Sequence, residues 1–598
     1  MSKRSFYFFQ FALLFVLLVG AAGWLYYESL PRTRTGQIVA WLSASEPEPA
    51  IFSPGISNRK FWDNTPPLTR IGPPKGLPAD ANSLIAIIGS GTNQECKYPT
   101  GDWIDTINAA LTEVCKLPWH EAHMFEREFT DLHTTSKAAV LARTCFLLRD
   151  KLDPEVLATT IDTIRTKVIE PFLNDSAEYQ KRTLQWGKDM CPWLETKDNW
   201  TAVCLANIIY ATLAIEPDVN VRARVIAAAE DPIKDYFSTF EQDGYLSSGI
   251  RYWNYGFGHL MLLGERLIKA TNGHINLFDT PGIVEMARFR DKWEIGRKGE
   301  NAYYPLFADN TNPTSLLPNL LYLVARRFGT SQSNIKKSVW YEPSPVTDLL
   351  LNPPPVPVPA VPFVEDVSLR TYFPSAGALV ARNKNDSISL AVKGGTNHEE
   401  HNHNDIGAYT VFAGNNIVCG DFGAITYIPP LFGPNRYAFH PISSFGHPLP
   451  VVNNYLQFNG PSARASVIAT SFTPETDTIT YDIRGAYSYP GITKLERTVT
   501  FYRGESAMVT VEDTFEATFP ISFETAIISP NYAGVVDGTI AITCGNRNFT
   551  ISVDEPPGFI IKASEIFADR SKVSRFSIGL PEKAAAGRVK YTISEKVN

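Results

Sequence analysis

The sequence predicts a multidomain α + β protein: a short apolar segment, then a helical half, then an antiparallel β half. Three observations carry this prediction. The chain has 598 residues, and single hydrophobic cores stop growing at roughly 250–300 residues. Apolar residues recur with helical spacing in the first half and with alternating spacing in the second. A stretch dense in proline separates the two patterns.

The first thirty residues have the features of a targeting segment. Two basic residues precede an apolar run, Phe6 to Tyr27, which is about long enough to cross a bilayer as a helix. Small residues at 20–23 are compatible with a cleavable signal peptide instead, although the following aromatic residues resemble an interfacial belt. We predict that residues 1–30 form a transmembrane signal anchor or a signal peptide. The bulk of the chain would then be extracytoplasmic, anchored by a single membrane pass at the cell envelope, or secreted.

The next part of the chain divides into a predicted arm and a predicted helical domain. Residues 31–100 are expected to form an extended arm, because much of this range is rich in proline and glycine without periodicity. The helical domain is expected over 101–340. Asp-Pro-Glu at 153–155 supplies an N-cap, a first-turn proline and an acidic first turn. Residues 200–215 are apolar on nearly all sides, which is typical of a helix buried between other helices.

Residues 341–363 form the predicted linker between the two halves. This range holds eight prolines, a density that disfavours helix and favours extended polyproline geometry. Beyond it, over 364–598, apolar residues alternate with polar ones; Ile479, Tyr481 and Ile483, for example, share one face of a strand. This half is therefore predicted to be antiparallel β, in the form of a sandwich.

Charge and cysteine content exclude several classes of protein. The formal net charge is -7 and no basic run occurs, so the chain is not expected to bind nucleic acid. An anionic substrate would need a local basic site. The seven cysteines are scattered without a CxxC pair, which excludes a zinc ribbon and a disulfide scaffold. One or two disulfides in the N-terminal half stay open.

A histidine cluster is the strongest chemical signal, because five of the ten histidines fall in one short part of the strand-rich half. His401, His403 and Asp405 are spaced by two, so on a strand they would project from one face. Two imidazoles plus one carboxylate form a common zinc set, and we predict His403, Asp421 and His447 as metal ligands. Spacing alone leaves a general base, or simple hydrogen-bonded histidines on a wet strand, as alternatives.

The histidine cluster and several other segments resemble heparinase II/III-like polysaccharide lyases. The segments are 394–407 (GGTNHEEHNHNDIG), 420–423 (GDFG) and 436–447 (RYAFHPISSFGH) in the second half, with 198–204 (DNWTAVC) and 249–258 (GIRYWNYGFG) in the first. They occur in the family's order. The resemblance covers roughly residues 100 to 590. It implies an N-terminal (α/α) toroid packed on an antiparallel β-sandwich, with a cleft between them.

The family's activity implies a particular chemistry. Its members typically cleave uronic-acid-containing glycans by β-elimination, so the expected partner is an anionic polysaccharide and the expected activity that of a polysaccharide lyase. The resemblance implies that the amide of Asn199 stabilises charge on the substrate carboxylate; an N-cap role is the alternative. It also implies Tyr255 as the acid/base residue, with Tyr252 as alternative, and His401 and Tyr437 as further catalytic residues.

Substrate contacts and the metal follow from the same resemblance. Arg436 is expected to meet a uronate carboxylate bidentately, or else to form a surface ion pair. Tyr252 and Trp200 are the other expected substrate contacts. The metal would be Zn²⁺, or another divalent ion, acting as a structural pin below the cleft. One departure weakens the substrate assignment: Ser248 stands where family members often carry a glutamate.

Three other functions stay open. A non-catalytic glycan-binding or envelope polysaccharide-assembly protein is the main alternative, because a fold does not guarantee chemistry. A glycoside hydrolase would need two carboxylates that flank the bond, and neither the adjacent Glu399 and Glu400 nor Asp198 forms a convincing pair. A metal-dependent hydrolase is the third. No particular oligomeric state is predicted.

Overall fold

The computed structural model describes residues 33–44, 69–120, 129–185, 188–298, 301–311, 320, 323–324, 327–328, 369–383, 388–433, 435–568 and 571–596. The predicted anchor and the proline-rich linker lie outside these residues. Over the ranges just given, no helix is both long enough and apolar enough to cross a membrane.

Helices dominate the described chain up to residue 293. They are α1 (Arg34–Ala44), α2 (Ala81–Lys97), α3 (Ile104–Lys116), α4 (Leu132–Leu147), α5 (Pro154–Ile164), α6 (Glu170–Lys181), α7 (Asn199–Ile215), α8 (Val219–Phe237), α9 (Ile250–Tyr252), α10 (Gly258–Ala270) and α11 (Ile283–Trp293). Two π-helical turns, Arg165–Ile169 and Trp253–Phe257, join α5 to α6 and α9 to α10. The predicted N-cap is confirmed, because the Asp153 carboxylate accepts hydrogen bonds from the first turn of α5.

Helix α7 lies at the centre of the helical half. All of its residues except Trp200 are buried, and it contacts α4, α8 and α10. Neighbours on several sides explain why its sequence is apolar all round. Its N-cap is Asp198, whose carboxylate accepts a hydrogen bond of 2.8 Å from the Trp200 N–H. The side chain of Asn199 is therefore not needed as a cap.

The prediction of an extended arm over 31–100 is wrong for part of this range, because it contains α1 and α2. Asp80 caps α2 by accepting a hydrogen bond from the Ser83 N–H, and Ile88 is fully buried in the helical core. A Cβ on Gly91 would lie 2.6 Å from the Trp103 ring. Tertiary packing thus stabilises a helix that the glycine-containing sequence does not favour on its own.

The strands follow the helices. They are β1 (Gly296–Lys298), β2 (Asn301–Tyr303), β3 (Arg370–Phe373), β4 (Ala378–Ala381), β5 (Ser389–Val392), β6 (Thr396–Asn397), β7 (Tyr409–Ala413), β8 (Asn416–Gly420), β9 (Pro450–Val452), β10 (Gly460–Arg464), β11 (Ser466–Phe472), β12 (Thr476–Asp482), β13 (Ile492–Tyr502), β14 (Met508–Ile521), β15 (Phe523–Ser529), β16 (Tyr532–Val536), β17 (Thr539–Cys544), β18 (Arg547–Glu555), β19 (Ile560–Ala568), β20 (Ser571–Gly579) and β21 (Ala584–Glu595).

These strands form antiparallel sheets. The three largest have the orders β3-β4-β5-β7-β8, β11-β12-β13-β14-β21-β18-β17-β16 and β19-β20-β15-β9. The five-stranded sheet is buried on both faces. Leu379 and Leu390 face the core shared with the larger sheet, whereas Val380 and Ala391 pack with the helical core. The predicted order, a helical half followed by an antiparallel β half, is confirmed.

A buried ion pair fixes the sheets to the loops of the β half. Arg497 on β13 donates two hydrogen bonds of 2.7 Å to Asp513 on β14, and both side chains are fully buried. The same guanidinium donates to the carbonyls of Gly407 and Pro448, which flank the histidine-containing segments. The seven cysteines all lie in the described ranges and all are free thiols, so the disulfides left open by the sequence are not formed here.

Candidate active site

Residues 398–408, called the His-rich loop below, connect β6 to β7 and contain no strand. The prediction that His401, His403 and Asp405 project from one face of a strand is therefore wrong. Asparagines favour turns here, and His401 has a φ of +58°, a left-handed conformation that is uncommon for a residue with a Cβ. Backbone strain of this kind clusters at functional sites.

His401 joins the two halves of the protein. Its Nε2 lies 2.9 Å from Oδ1 of Asn199 at the start of α7, and its Nδ1 lies 3.1 Å from the Tyr427 hydroxyl. The side chain of His401 is 18% exposed, so solvent and ligands can reach it. Asn199 is buried in this contact. His401 and Asn199, 202 residues apart in the chain, are thus in direct contact.

Tyr252 is the tyrosine that faces His401. Its ring stacks on the imidazole with centroids 3.6 Å apart and planes 11° from parallel. Its hydroxyl lies 2.6 Å from the hydroxyl of Tyr427. Burial raises the pKa of Tyr252, and the nearby Asp309 charge raises it further. At neutral pH, Tyr252 therefore carries its proton.

Asp309 is the centre of the site's hydrogen-bond network, and its side chain is 1% exposed. Its carboxylate accepts from the Tyr427 hydroxyl at 2.8 Å and from Nη2 of Arg436 at 2.8 Å. It also lies 3.0 Å from Nε2 of His403 and 3.4 Å from Nδ1 of His401. Burial alone would raise the pKa of Asp309, but these partners outweigh it and lower the pKa. Asp309 is thus a stable carboxylate.

The segment that carries Asp309 is held from both sides. Oδ2 of Asp405 accepts a hydrogen bond from the Ala308 N–H, and Oδ1 of the same carboxylate accepts from the buried Lys393 ammonium at 2.6 Å. Ala308 itself has a φ of +59°. The His-rich loop therefore fixes the backbone that presents Asp309, and Asp309 in turn fixes two histidines of that loop.

The assignment of the acid/base role to Tyr255 disagrees with the geometry. The ring of Tyr255 packs edge-on against His259, with centroids 5.1 Å apart, and its ionisable surroundings are Cys204, Asp131 and Arg251. The π-helical turn that begins at residue 253 directs Tyr252 and Tyr255 to different neighbours. Tyr252, which the sequence left as the alternative, is the tyrosine in contact with His401.

The expected bidentate contact of Arg436 with a substrate is also not supported. Its Nε and Nη2 donate to the Asn402 carbonyl at 3.2 and 3.0 Å, and Nη2 donates to Asp309 as well. The guanidinium is thus held within the protein. Tyr437 accepts a hydrogen bond of 3.1 Å from Nδ2 of Asn402, at the edge of the same network. Trp200 packs partly buried against the helical core.

The predicted ligand set of His403, Asp421 and His447 forms a buried group that could hold a metal ion. One ligand atom from each residue lies within 4.8 Å of the others. Nδ1 of His403, Oδ2 of Asp421 and Nδ1 of His447 are buried without a hydrogen-bond partner in the described chain. The last two are 2.9 Å apart without hydrogen-bond geometry, as two ligands of one ion would be. Nε2 of His403 contacts Asp309, the outer carboxylate typical of metal-bound histidines.

We expect the His447→Ala variant to lose bound metal, because it removes one of three converging ligands. Elemental mass spectrometry of the purified full-length chain measures the metal-to-protein ratio. The His440→Ala variant is the matched control, since His440 is exposed and its ring contacts Phe445. Equal metal content in both variants and in the wild type, or none in the wild type, would contradict the ligand assignment.

Two residues of the site were missed at the level of sequence. Asp309 lies in a Phe-Ala-Asp-Asn segment and Tyr427 in a Thr-Tyr-Ile-Pro segment, and neither has a spacing pattern that marks chemistry. Asp309 directly follows an apolar run, whereas Thr426 precedes Tyr427, and both residues lie in regions without regular structure. Their roles arise from contacts across 118 residues of chain.

Comparison with known proteins supports the fold. No protein-family model matches the sequence, and no curated protein is similar to it. Solved structures of polysaccharide lyases do match. A heparan sulfate lyase HepC mutant from Pedobacter heparinus is similar at a TM-score of 0.56 and 12% identity, over 94% of this chain and 88% of that chain.

Two further structures agree. A heparinase III gives a TM-score of 0.58 at 12% identity, over 93% of this chain and 85% of that chain. HepC from Pedobacter heparinus, without the mutation, gives 0.53 at 12% identity, over 94% and 88%. The chain therefore has the fold of these heparinase III and HepC lyases, as its motifs predicted. Identity this low concerns the fold alone.

Proposed function

We propose that the protein is a polysaccharide lyase that cleaves a uronic-acid-containing glycan by β-elimination. The observation that carries the proposal is the contact of His401 with Asn199 and Tyr252, which brings an imidazole, an amide and a phenol from distant parts of the chain to one point. The lyase fold supports it. We further propose that the helices close into an (α/α) toroid, that the sheets form a sandwich, and that the catalytic body is exported.

Cleavage in this proposal begins with removal of the C5 proton of the uronate. His401 is suited to accept it. With its Nδ1–H donated to the Tyr427 hydroxyl, which itself donates to Asp309, the imidazole has its lone pair on Nε2, on the side of Asn199. As the C5–H bond breaks, its electrons form the C4=C5 double bond and the C4–O glycosidic bond breaks. General base catalysis of this kind contributes typically 10²- to 10⁴-fold.

The leaving glycosidic oxygen needs a proton, and Tyr252 is suited to donate it. Its raised pKa keeps the hydroxyl protonated, and its hydrogen bond to Tyr427 connects it to Asp309. The products are a new reducing end and an unsaturated uronate. One proton is removed from C5 and one is added to the glycosidic oxygen, so the reaction requires no other reactant.

Asn199 is proposed to stabilise the charge that develops on the uronate carboxylate. A half-turn of its amide exchanges oxygen and nitrogen, so Nδ2 can donate toward the substrate or toward Nε2 of His401. Preorganised donors in a site shielded from water are strong electrostatic stabilisers. Because Asp198 supplies the helix cap, the Asn199 side chain has no competing structural role at the N-terminus of α7.

Zinc is the proposed metal at His403, Asp421 and His447, because two imidazoles and one carboxylate suit it. When bound, it would supply a fixed geometry rather than chemistry on the substrate. His403 also contacts Asp309, so a rigid ligand set would hold the carboxylate in place beside His401. The glycan-contact role of Trp200 and the proton-transfer role of Tyr437 remain part of the proposal.

The activity is tested by incubating the full-length protein with a panel of uronate polymers, namely heparan sulfate, hyaluronan, alginate and chondroitin sulfate. We expect the ultraviolet absorbance of the unsaturated uronate product to increase for at least one polymer. If new reducing ends form without that absorbance, the protein is a hydrolase. If a polymer binds and no new reducing ends form, the protein is the non-catalytic glycan-binding alternative.

A glycoside hydrolase receives little support from the carboxylates of the site. Glu399 forms an ion pair of 3.1 Å with the buried Lys393, and Asp198 caps α7. Asp309 is held by four partners. These three carboxylates are thus bonded within the protein, whereas hydrolysis requires two that flank the bond to be cleaved.

The Asp309→Asn variant is expected to lower kcat by roughly 10²-fold or more, because the carboxylate that orients the His401 proton is lost. The three ligands are retained, so saturating metal should give the wild-type metal ratio even though loss of the outer carboxylate weakens metal affinity by roughly 10- to 100-fold. Steady-state kinetics and elemental analysis of the same sample measure both. Asp554→Asn, the same change at an exposed strand position, is the control. Unchanged kcat in Asp309→Asn would remove Asp309 from the mechanism.

A further inference from the structure

The proposed lyase lacks an identified cation for its anionic substrate. The protein has a net charge of -7, which repels a polyanion unless a local positive charge offsets it. Arg436 was expected to supply this charge, but Asp309 and the Asn402 carbonyl hold its guanidinium. A second arginine lies closer to the helical wall of the site. It is Arg251, the residue before Tyr252.

Arg251 lies beside both tyrosines of α9 and its following turn. Its Cζ is 5.6 Å from the centroid of the Tyr252 ring, and Tyr252 in turn stacks on His401. Burial raises the pKa of Tyr252 and of Tyr255, and the Arg251 charge opposes the rise at both phenols. The guanidinium is therefore close to both hydroxyl-bearing rings at the wall of the site.

This guanidinium has no ion-pair partner within the part of the chain that the structure describes. The carboxylates in its surroundings are used elsewhere. Asp309 accepts from Tyr427 and Arg436. The carboxylate of Asp131 caps α4 by accepting a hydrogen bond from the Thr134 N–H. Arg251 is partly exposed, so its charge is available to a ligand.

The backbone of Arg251 is fixed. Its N–H donates a hydrogen bond of 3.1 Å to Oδ1 of Asn310, whose Nδ2 donates to the Ser248 and Phe307 carbonyls. Gly249 has a φ of +81°, and a Cβ there would lie 2.2 Å from Nδ2 of Asn310. Only glycine fits at position 249, where the backbone lies this close to the Asn310 side chain. Preorganised backbone of this kind lowers the entropic cost of binding a ligand.

We propose that Arg251 is the anion-binding residue of the cleft and that it pairs with the carboxylate of a bound uronate. This inference rests on the proposed function for the nature of the substrate. The planar fork of arginine matches a carboxylate bidentately. The position beside Tyr252 would place that carboxylate next to the proton donor, so Arg251 would select uronate chains over neutral glycans.

Binding measurements on the full-length chain test the proposal. The probes are hyaluronan and alginate oligosaccharides, both unsulfated uronate chains, their carboxyl-reduced counterparts, and heparin oligosaccharides. Arg251→Gln is expected to weaken binding of the unsulfated uronates roughly ten- to hundredfold, with partial recovery in Arg251→Lys. The carboxyl-reduced chains should bind weakly to every form. Arg224→Gln, the same change at an exposed position of α8, should bind as the wild type does.

Several results would overturn the proposal. Uronate binding that Arg251→Gln leaves intact, equal losses for intact and carboxyl-reduced chains, or no binding of any uronate probe to the wild type would each do so. A loss confined to heparin would assign Arg251 to sulfate instead. The two proposals can fail separately. If uronate chains bind through Arg251 but no unsaturated products form, the anion-binding proposal is retained and the β-elimination proposal is rejected.

Discussion

The Tyr252→Phe variant is expected to lose roughly 10²- to 10⁴-fold in kcat on the polymer that the wild type cleaves, because the change removes one hydroxyl that donates a proton. The stack of the ring on His401 is retained, so folding should be unaffected. Initial rates of ultraviolet absorbance measure kcat, and far-ultraviolet circular dichroism checks the fold.

Tyr255→Phe is the matched control for Tyr252→Phe. It removes the same hydroxyl three residues further along the chain, where the ring contacts His259 rather than His401. Its kcat should stay within a few-fold of the wild-type value. The opposite ranking, with Tyr255→Phe inactive and Tyr252→Phe active, would restore the assignment that the sequence motif suggested and reject the one based on geometry.

Arg497→Met is expected to lower the free energy of unfolding of the β half by about 3–5 kcal/mol, because it leaves the fully buried Asp513 carboxylate without its partner. It also removes donors to the Gly407 and Pro448 carbonyls. All 11 tryptophans lie at or before position 340. Circular dichroism of the strands during urea unfolding is therefore the measurement, and tryptophan fluorescence follows the helical half separately.

The control for Arg497→Met is Arg588→Met, which breaks an exposed ion pair with Glu555. Exposed pairs stabilise little, so its urea midpoint should match that of the wild type. The double variant Arg497→Met with Asp513→Leu should recover part of the loss, since no buried charge is left unpaired. Equal midpoints in Arg497→Met and the wild type would show that the pair does not anchor the sheets.

The sequence predicts those parts of the fold in which the pattern of apolar and polar residues reflects burial. Strands β12 and β13 alternate in burial, and helix α7 is apolar on all sides because it is buried on all sides. Helix α2 was missed, because its glycines and polar residues are helical only through contacts such as the Gly91 approach to Trp103. Hydrophobic periodicity indicates which face of a helix or strand is buried. It does not predict secondary structure where contacts with distant segments determine the conformation.

The sequence indicated individual residues of the candidate site but not most of the contacts between them. The residues of the candidate metal group, and Asn199 and His401, were selected from motifs. The His-rich loop was taken for a strand, because spacing by two does not distinguish alternation on a strand from a loop whose histidines converge on Asp309. The choice between Tyr252 and Tyr255 depends on a π-helical turn, which sequence patterns do not predict.

The chemistry of bond cleavage is the central claim, and mass spectrometry of a defined uronate oligosaccharide tests it most directly. The full-length protein is incubated with a single oligosaccharide chosen from the polymer that it cleaves, and the product masses are added. Elimination predicts that the two product masses sum to the mass of the substrate, with the double bond in the uronate at the new non-reducing end, on the fragment that keeps the original reducing end. Products whose masses sum to the substrate plus one water would show hydrolysis and contradict the account.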